Sequence, residues 1–355
     1  MTLPIIARSS LVYCRAGARV KSLRKSDMPY IQLPPVAREE LDAVADGRWN
    51  AIVADRPELG AAVDLQRRLI ARVLELKQTI EQGRLPRLSL PPKYLAAKLA
   101  RGVPALAGEP IPLPIQPLTA SLLRMCEELG AGGAGEAADH IRTAVETGSL
   151  DAGSLLAASL SRDQHAIRTG ATHRGLAPDL VWLVAELAVG PFVYVLQRTL
   201  LTTGAVVAAG AGPAAEAMAT ALDDWNRGYC PACGSWPAMA EVVEGHRMLR
   251  CSFCAAAWEL GKYACVYCGE EGEPFVTAAP NEERKDRRVE VCSACTGYLK
   301  TVDTFALSPF PLLSIGDLET MDLDMAAMEH GYQRPALRDF KTRDQGSGIR
   351  DQKKS

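Results

Sequence analysis

Eight of the ten cysteines stand in four C-x-x-C pairs: Cys230/Cys233, Cys251/Cys254, Cys265/Cys268 and Cys292/Cys295. A C-x-x-C knuckle works because a tight turn aims two thiolates at one ion. Backbone N–H groups around the second cysteine can then bond sulfur and spread its charge. Two knuckles on neighbouring hairpins complete a tetrahedral shell of four sulfurs, each about 2.3 Å from the metal. The segments between successive pairs hold 17, 10 and 23 residues. The two longer gaps each fit a hairpin joining two knuckles, and the shortest fits a linker. We therefore expect Cys230/Cys233 with Cys251/Cys254 as one metal site, and Cys265/Cys268 with Cys292/Cys295 as the other. A crossed arrangement is less economical and stays open.

Other cysteine chemistries fit less well. Disulfides belong to oxidising compartments, and nothing in the sequence directs the chain to one. A thioredoxin-like redox pair uses one C-x-x-C beside a βαβ pattern, whereas four repeat here outside any such pattern. Iron–sulfur clusters favour a denser run of cysteines. Mononuclear four-thiolate sites remain, and such shells suit zinc and iron alike. A closed shell leaves no position for an activated water, which argues against hydrolysis. The sites either staple a small domain or, with iron, also pass one electron. No GxGxxG, Walker-type loop or nucleophile elbow occurs, so no catalytic residue and no organic cofactor is assigned, and the chain reads as a non-enzyme.

Several residues invite a functional reading and are better explained by packing. Cys126, in the helical stretch 122–129, reads as a buried small residue. Cys14 is isolated. His246 could pass for a ligand, but eight thiols already complete two shells. Tyr263 and Tyr267, beside the third knuckle, read as packing aromatics. The cluster 282–288 mixes both signs of charge and reads as a solvated loop. The glycine-rich run 130–135 follows no apolar strand and reads as a flexible linker.

These knuckles must be carried by something. The chain has 355 residues, 48% of them apolar, with net charge −2, an ordinary globular composition with no global field for nucleic acid or anionic lipid. From about 36 to 226 the pattern is helical almost throughout. Helices are expected near 58–81, 94–99, 118–130, 136–147, 152–160, 178–200 and 214–225. The longest apolar stretch, 180–201, is interrupted by Glu186, Gly190-Pro191, Gln197 and Arg198, so a buried core helix is expected rather than a membrane span. From Gly228 short β-type runs alternate with the Cys pairs, at 238–243, 247–250, 274–278, 287–291 and 298–305. A last helix is expected over 316–330.

The fold class is thus α+β multidomain: an all-α helical domain, two small rubredoxin-like or zinc-ribbon β modules, and a C-terminal helix. The expected boundaries are 1–35 for a flexible leader, 36–228 for the helical domain, 229–262 and 263–308 for the two four-Cys modules, 309–336 for the C-terminal helical segment and 337–355 for a disordered tail. The first 26 residues carry six basic residues and no acid. They read either as a disordered leader or as an extension before a true start at Met28. No secretory signal is visible, which places the protein in the cytoplasm.

At the knuckles the sequence resembles the FdhE family. The resemblance rests on Tyr229-Cys230-Pro231-Ala232-Cys233-Gly234-Ser235-Trp236-Pro237, on Leu249-Arg250-Cys251-Ser252-Phe253-Cys254 with Trp258, on Cys265-Val266-Tyr267-Cys268, and on Cys292-Ser293-Ala294-Cys295-Thr296-Gly297-Tyr298-Leu299-Lys300. Asp317-Leu318, Leu323-Asp324 and Gly331-Tyr332 are similar to the family's closing helix, and Leu33-Pro34-Pro35 with Arg56-Pro57-Glu58-Leu59 to its start. One departure stands out. Ala255 and Thr296 follow the second and fourth knuckles, where glycine best suits a left-handed turn; at Thr296 the turn could move on to Gly297.

The resemblance implies a cytoplasmic accessory protein that binds the catalytic subunit of a respiratory formate dehydrogenase and assists its maturation. It also implies two iron ions in rubredoxin-like sites, with zinc as the alternative metal. Two other functions compete. A zinc-ribbon nucleic-acid binder needs a basic face, yet residues 229–306 hold eight Lys and Arg against eleven Asp and Glu. A dedicated iron electron-transfer protein overlaps with the accessory role. Homo-oligomerisation is left open.

Overall fold

The computed structural model describes residues 12–14, 30–31, 33–83, 90–201, 212–279 and 284–337. Most of the basic leader and the tail from 338 lie outside these residues, as does part of the charged 282–288 cluster.

The helical part comprises α1 (Arg38–Asp55), a 3₁₀ turn (Pro57–Leu59), α2 (Gly60–Gln82), α3 (Pro92–Ala100), α4 (Ile115–Leu129), α5 (Gly135–Glu146), α6 (Ala152–Leu160), α7 (Gln164–His173), α8 (Pro178–Leu200) and α9 (Pro213–Asp223). Start signals are local. Pro178 and Pro213 open α8 and α9, where a missing N–H costs nothing. Asp151 and Asp163 cap α6 and α7 by accepting from Ser154 N and Ala166 N at 2.8 and 3.0 Å.

α8 is the axis of the bundle. It is long and apolar enough to cross a membrane, but most of it is buried inside the protein. Fourteen of its residues are buried, Gly190 and Pro191 among them. Residues 130–134, expected as a linker, instead form a π-helical turn carrying α4 into α5, with Gly133 at φ 111° supplying the bend. α1 and α7 are not among the helices expected from the sequence. α1 is recovered through Leu41, Ala45, Trp49 and Ile52, which share one face and form a satellite core with α2 residues, Leu312 and Ile315.

The β part is β3 (Pro237–Val243), β4 (His246–Cys251), β5 (Ala257–Glu259), β6 (Phe275–Ala279), β7 (Arg287–Cys292) and β8 (Gly297–Asp303). One sheet runs through both four-cysteine modules, because β3 pairs in parallel with β8, Met239 opposite Lys300. Its edges come from the region expected as leader: β1 (Val12–Cys14) pairs with β6 and β2 (Tyr30–Ile31) with β5, both antiparallel. The full order is β1-β6-β7-β8-β3-β4-β5-β2. The last helix is divided at Thr320 into α10 (Leu313–Glu319) and α11 (Met321–Glu329).

Arg287 and Arg288 are not loop residues. They stand on β7, where Arg287 pairs with Asp322 of α11 at 3.0 Å and Arg288 with Asp303 of β8 at 2.6 Å.

Candidate metal centres

Each knuckle is the same piece of backbone. Gly234 N donates to Cys230 O and Gly269 N to Cys265 O, both at 2.9 Å, closing the turn around the pair. The residue after the second cysteine is left-handed in all four: Gly234 at φ 82°, Ala255 at 54°, Gly269 at 81° and Thr296 at 54°. The turn at the fourth knuckle therefore does not move on to Gly297. That glycine is needed where it is: a Cβ there would lie 2.5 Å from Cδ2 of Tyr267.

The structure brings the sulfurs of Cys230, Cys233, Cys251 and Cys254 together, and separately those of Cys265, Cys268, Cys292 and Cys295. Within each group all four lie within 4.8 Å of one another. In the first group Cys230 and Cys254 are 3.6 Å apart, and Cys233 and Cys251 3.5 Å. In the second, Cys265 and Cys295 are 3.7 Å apart, and Cys268 and Cys292 3.6 Å. A tetrahedron with ligands about 2.3 Å from its centre has edges of roughly 3.8 Å, so both groups fit a single ion. They are far too wide for sulfur–sulfur bonds of about 2.05 Å. Such a group also leaves no room for the irons and sulfides of a cluster.

Electrostatics fit an anionic shell. Phe253 N and Cys254 N both point at Cys251 Sγ, each at 3.4 Å, as charge-spreading donors should. Burial pushes the Cys230 and Cys254 thiols well above their usual range, and neighbouring thiols add to this. At Cys233 burial acts the same way but is outweighed: sulfur contacts and the Arg162 cation hold that thiol well below the usual range. A bound ion completes the ionisation.

The helical domain grips the first centre from three sides. Ala105 N and Leu106 N donate to Pro231 O and Ala232 O at 2.8 and 2.9 Å. Gly190 of α8 lies against the second knuckle, where a Cβ would stand 3.2 Å from Phe253 O. The Arg162 guanidinium stacks over Phe253 at 3.9 Å and over Trp182 at 4.7 Å, and pairs with Glu186. A lone arginine after α6 carries no spacing signal, so the sequence does not mark Arg162.

The two centres are close neighbours. Gly228 approaches the third knuckle so tightly that a Cβ would fall 1.8 Å from Val266 O. Trp236 makes edge contacts with Tyr229 at 6.0 Å and with Tyr267 at 5.1 Å, joining aromatics from the first and third knuckles. Tyr267 donates to Tyr298 O at 2.8 Å, and Tyr263 packs on Phe275, so both serve packing. His246 sits on β4 with Nδ1 3.2 Å from Glu259, away from the sulfurs. Cys126 is buried within α4. Cys14 falls in β1, and its side chain lies outside the described residues.

A helical domain bearing two rubredoxin-like four-cysteine knuckle centres on one sheet defines the class of protein. No protein-family model matches the chain. The fold is similar to the crystal structure of the FdhE protein from Pseudomonas aeruginosa, with a TM-score of 0.52 over 87% of this chain and 97% of that one. At 23% identity, that likeness speaks for the fold. In sequence, the chain is 29% identical over 113 residues to an FdhE homolog of Aquifex aeolicus, covering 30% of this chain and 40% of the relative. It is 35% identical over 119 residues to the FdhE homolog of Pseudomonas putida, covering 30% and 36%. The matched stretches thus span well under half of these curated relatives. The chain is similar to FdhE proteins in sequence over about a third of its length and in fold over most of it.

Proposed function

We propose that this chain is a cytoplasmic, non-enzymatic accessory protein that binds the catalytic subunit of a respiratory formate dehydrogenase during its maturation. Its eight knuckle cysteines hold two mononuclear ions, for which iron is the proposed metal. The observation that carries the reading is the pair of single-ion sulfur groups built into a fold similar to an FdhE crystal structure. Four sulfurs per ion close each shell, so substrate activation at the metal is unsupported. Iron bound there would supply a one-electron couple; zinc would supply only a staple. The boundaries 36–228, 229–262, 263–308 and 309–336 remain our proposed division of the chain.

The test is capture of a tagged formate dehydrogenase catalytic subunit by wild type and by a Cys230→Ser/Cys233→Ser variant. Capture by wild type and loss in the variant is expected. No capture by well-folded, metal-loaded wild type would sink the client assignment. Visible absorption from ferric thiolate would separate iron from zinc. A nucleic-acid role is disfavoured by the acidic balance of residues 229–306.

A further inference from the structure

The two centres share a knuckle design but face different surroundings. In the first, all four cysteines are buried. The residues inside its knuckles are buried too, namely Pro231, Ala232 and Phe253, with Ser252 alone exposed. Its cysteines belong to the main core, continuous with α4 and α8. In the second, Cys265 and Cys292 are buried, but Cys268 is exposed and Cys295 half-buried. Around them Gly269, Ser293, Ala294 and Thr296 are exposed. That centre packs on a small cluster with Phe275, Tyr263 and Tyr267, which meets the main core at Val266 and Tyr267.

Ligand exchange at a four-thiolate ion begins when an incoming donor reaches the metal or one sulfur. At a buried centre that needs local opening, whose cost approaches that of global unfolding when the centre sits in the core. At an open edge it needs none. We propose that the centres divide the work: the first is a permanent staple, and the second exchanges a thiophilic ion with an incoming thiol or nitrogen-donor ligand through the face made by Cys268 and Cys295. Release breaks four metal–sulfur bonds and passes the ion on with its charge unchanged. The freed thiolates take protons from water or bind a new ion. This rests on the metal-binding part of the proposed function and not on the client.

The experiment uses the full chain loaded with two equivalents of zinc. Excess 4-(2-pyridylazo)resorcinol should extract one equivalent at least about tenfold faster than the other, since tenfold needs only about 1.4 kcal/mol of difference in opening cost. Iodoacetamide added during the fast phase, followed by peptide mass spectrometry, should place the label on Cys265, Cys268, Cys292 and Cys295, with Cys268 first. Release of both equivalents at one rate, or early labelling of Cys230, Cys233, Cys251 or Cys254, overturns the division of roles alone. A folded chain that retains no zinc overturns both this inference and the metal part of the proposed function.

Discussion

At the residue scale, a knuckle depends on one left-handed residue, and two of the four are not glycine. An L-residue there costs about 1–2 kcal/mol, while glycine's extra freedom in the unfolded chain costs about 0.5–1 kcal/mol. The first term is larger, so Ala255→Gly or Thr296→Gly should raise stability by about 0.5–1 kcal/mol in urea unfolding of the loaded chain. A loss in both variants would contradict the argument. One residue on, the sign reverses: Gly297→Ala drives a methyl into the Tyr267 ring and to within 3.2 Å of Cys295 Sγ. It should cost about 1–3 kcal/mol as overpacking. The sequence alone marks where the left-handed residues fall, because the position follows from C-x-x-C spacing. That Gly297 must itself lack a side chain could not be read there, because the reason is a ring brought in from another knuckle.

At the scale of elements, legibility follows the length of local signal. α2 and α8 announce themselves through long apolar patterns. The β runs between cysteines are found because the knuckles punctuate them. β5 has only three residues, and β1 and β2 have three and two. They are strands because of their partners, and no periodicity of their own exists to detect. The same holds for the joints between elements. Arg162 lies buried between Trp182 and Phe253, with Nε and Nη1 lacking hydrogen-bond partners among the described residues. Its worth lies in the two stacked rings and the pairing to Glu186. Arg162→Ala should therefore cost about 2–3 kcal/mol, read as a shifted urea midpoint, and an unshifted midpoint would refute the role given to it. Gly228→Ala should be harsher still, since backbone of the third knuckle occupies the methyl's place. Failure to fold, or a loss of about 3 kcal/mol or more, is expected.

At the scale of the whole molecule, the four cysteines of the first centre lie within the main core, whereas the second centre meets that core through its third knuckle and opens toward solvent at Cys268 and Cys295. Cys254→Ser should lower the melting temperature by about 10 °C or more, and Cys268→Ser by clearly less. Equal losses would argue against this asymmetry. Alkaline stability reports on the second half of the sheet. Burial pushes the phenols of Tyr263 and Tyr298 up to about 12, with nearby carboxylates adding to the shift. Unfolded, they ionise near their ordinary value of about 10. The stability they contribute is complete below about pH 10 and lost as pH climbs toward 12. Tyr298→Phe should flatten part of that decline, and an unchanged pH profile would count against it. The parallel joint of β3 with β8 has a consequence for synthesis. The ribosome delivers Cys254 before any cysteine of the second centre, so a nascent chain can assemble the first set of ligands early. The outer edge of β3 nevertheless stays unpaired until Lys300 and its strand emerge. A cell short of metal would then accumulate chains filled at the first centre and empty at the second.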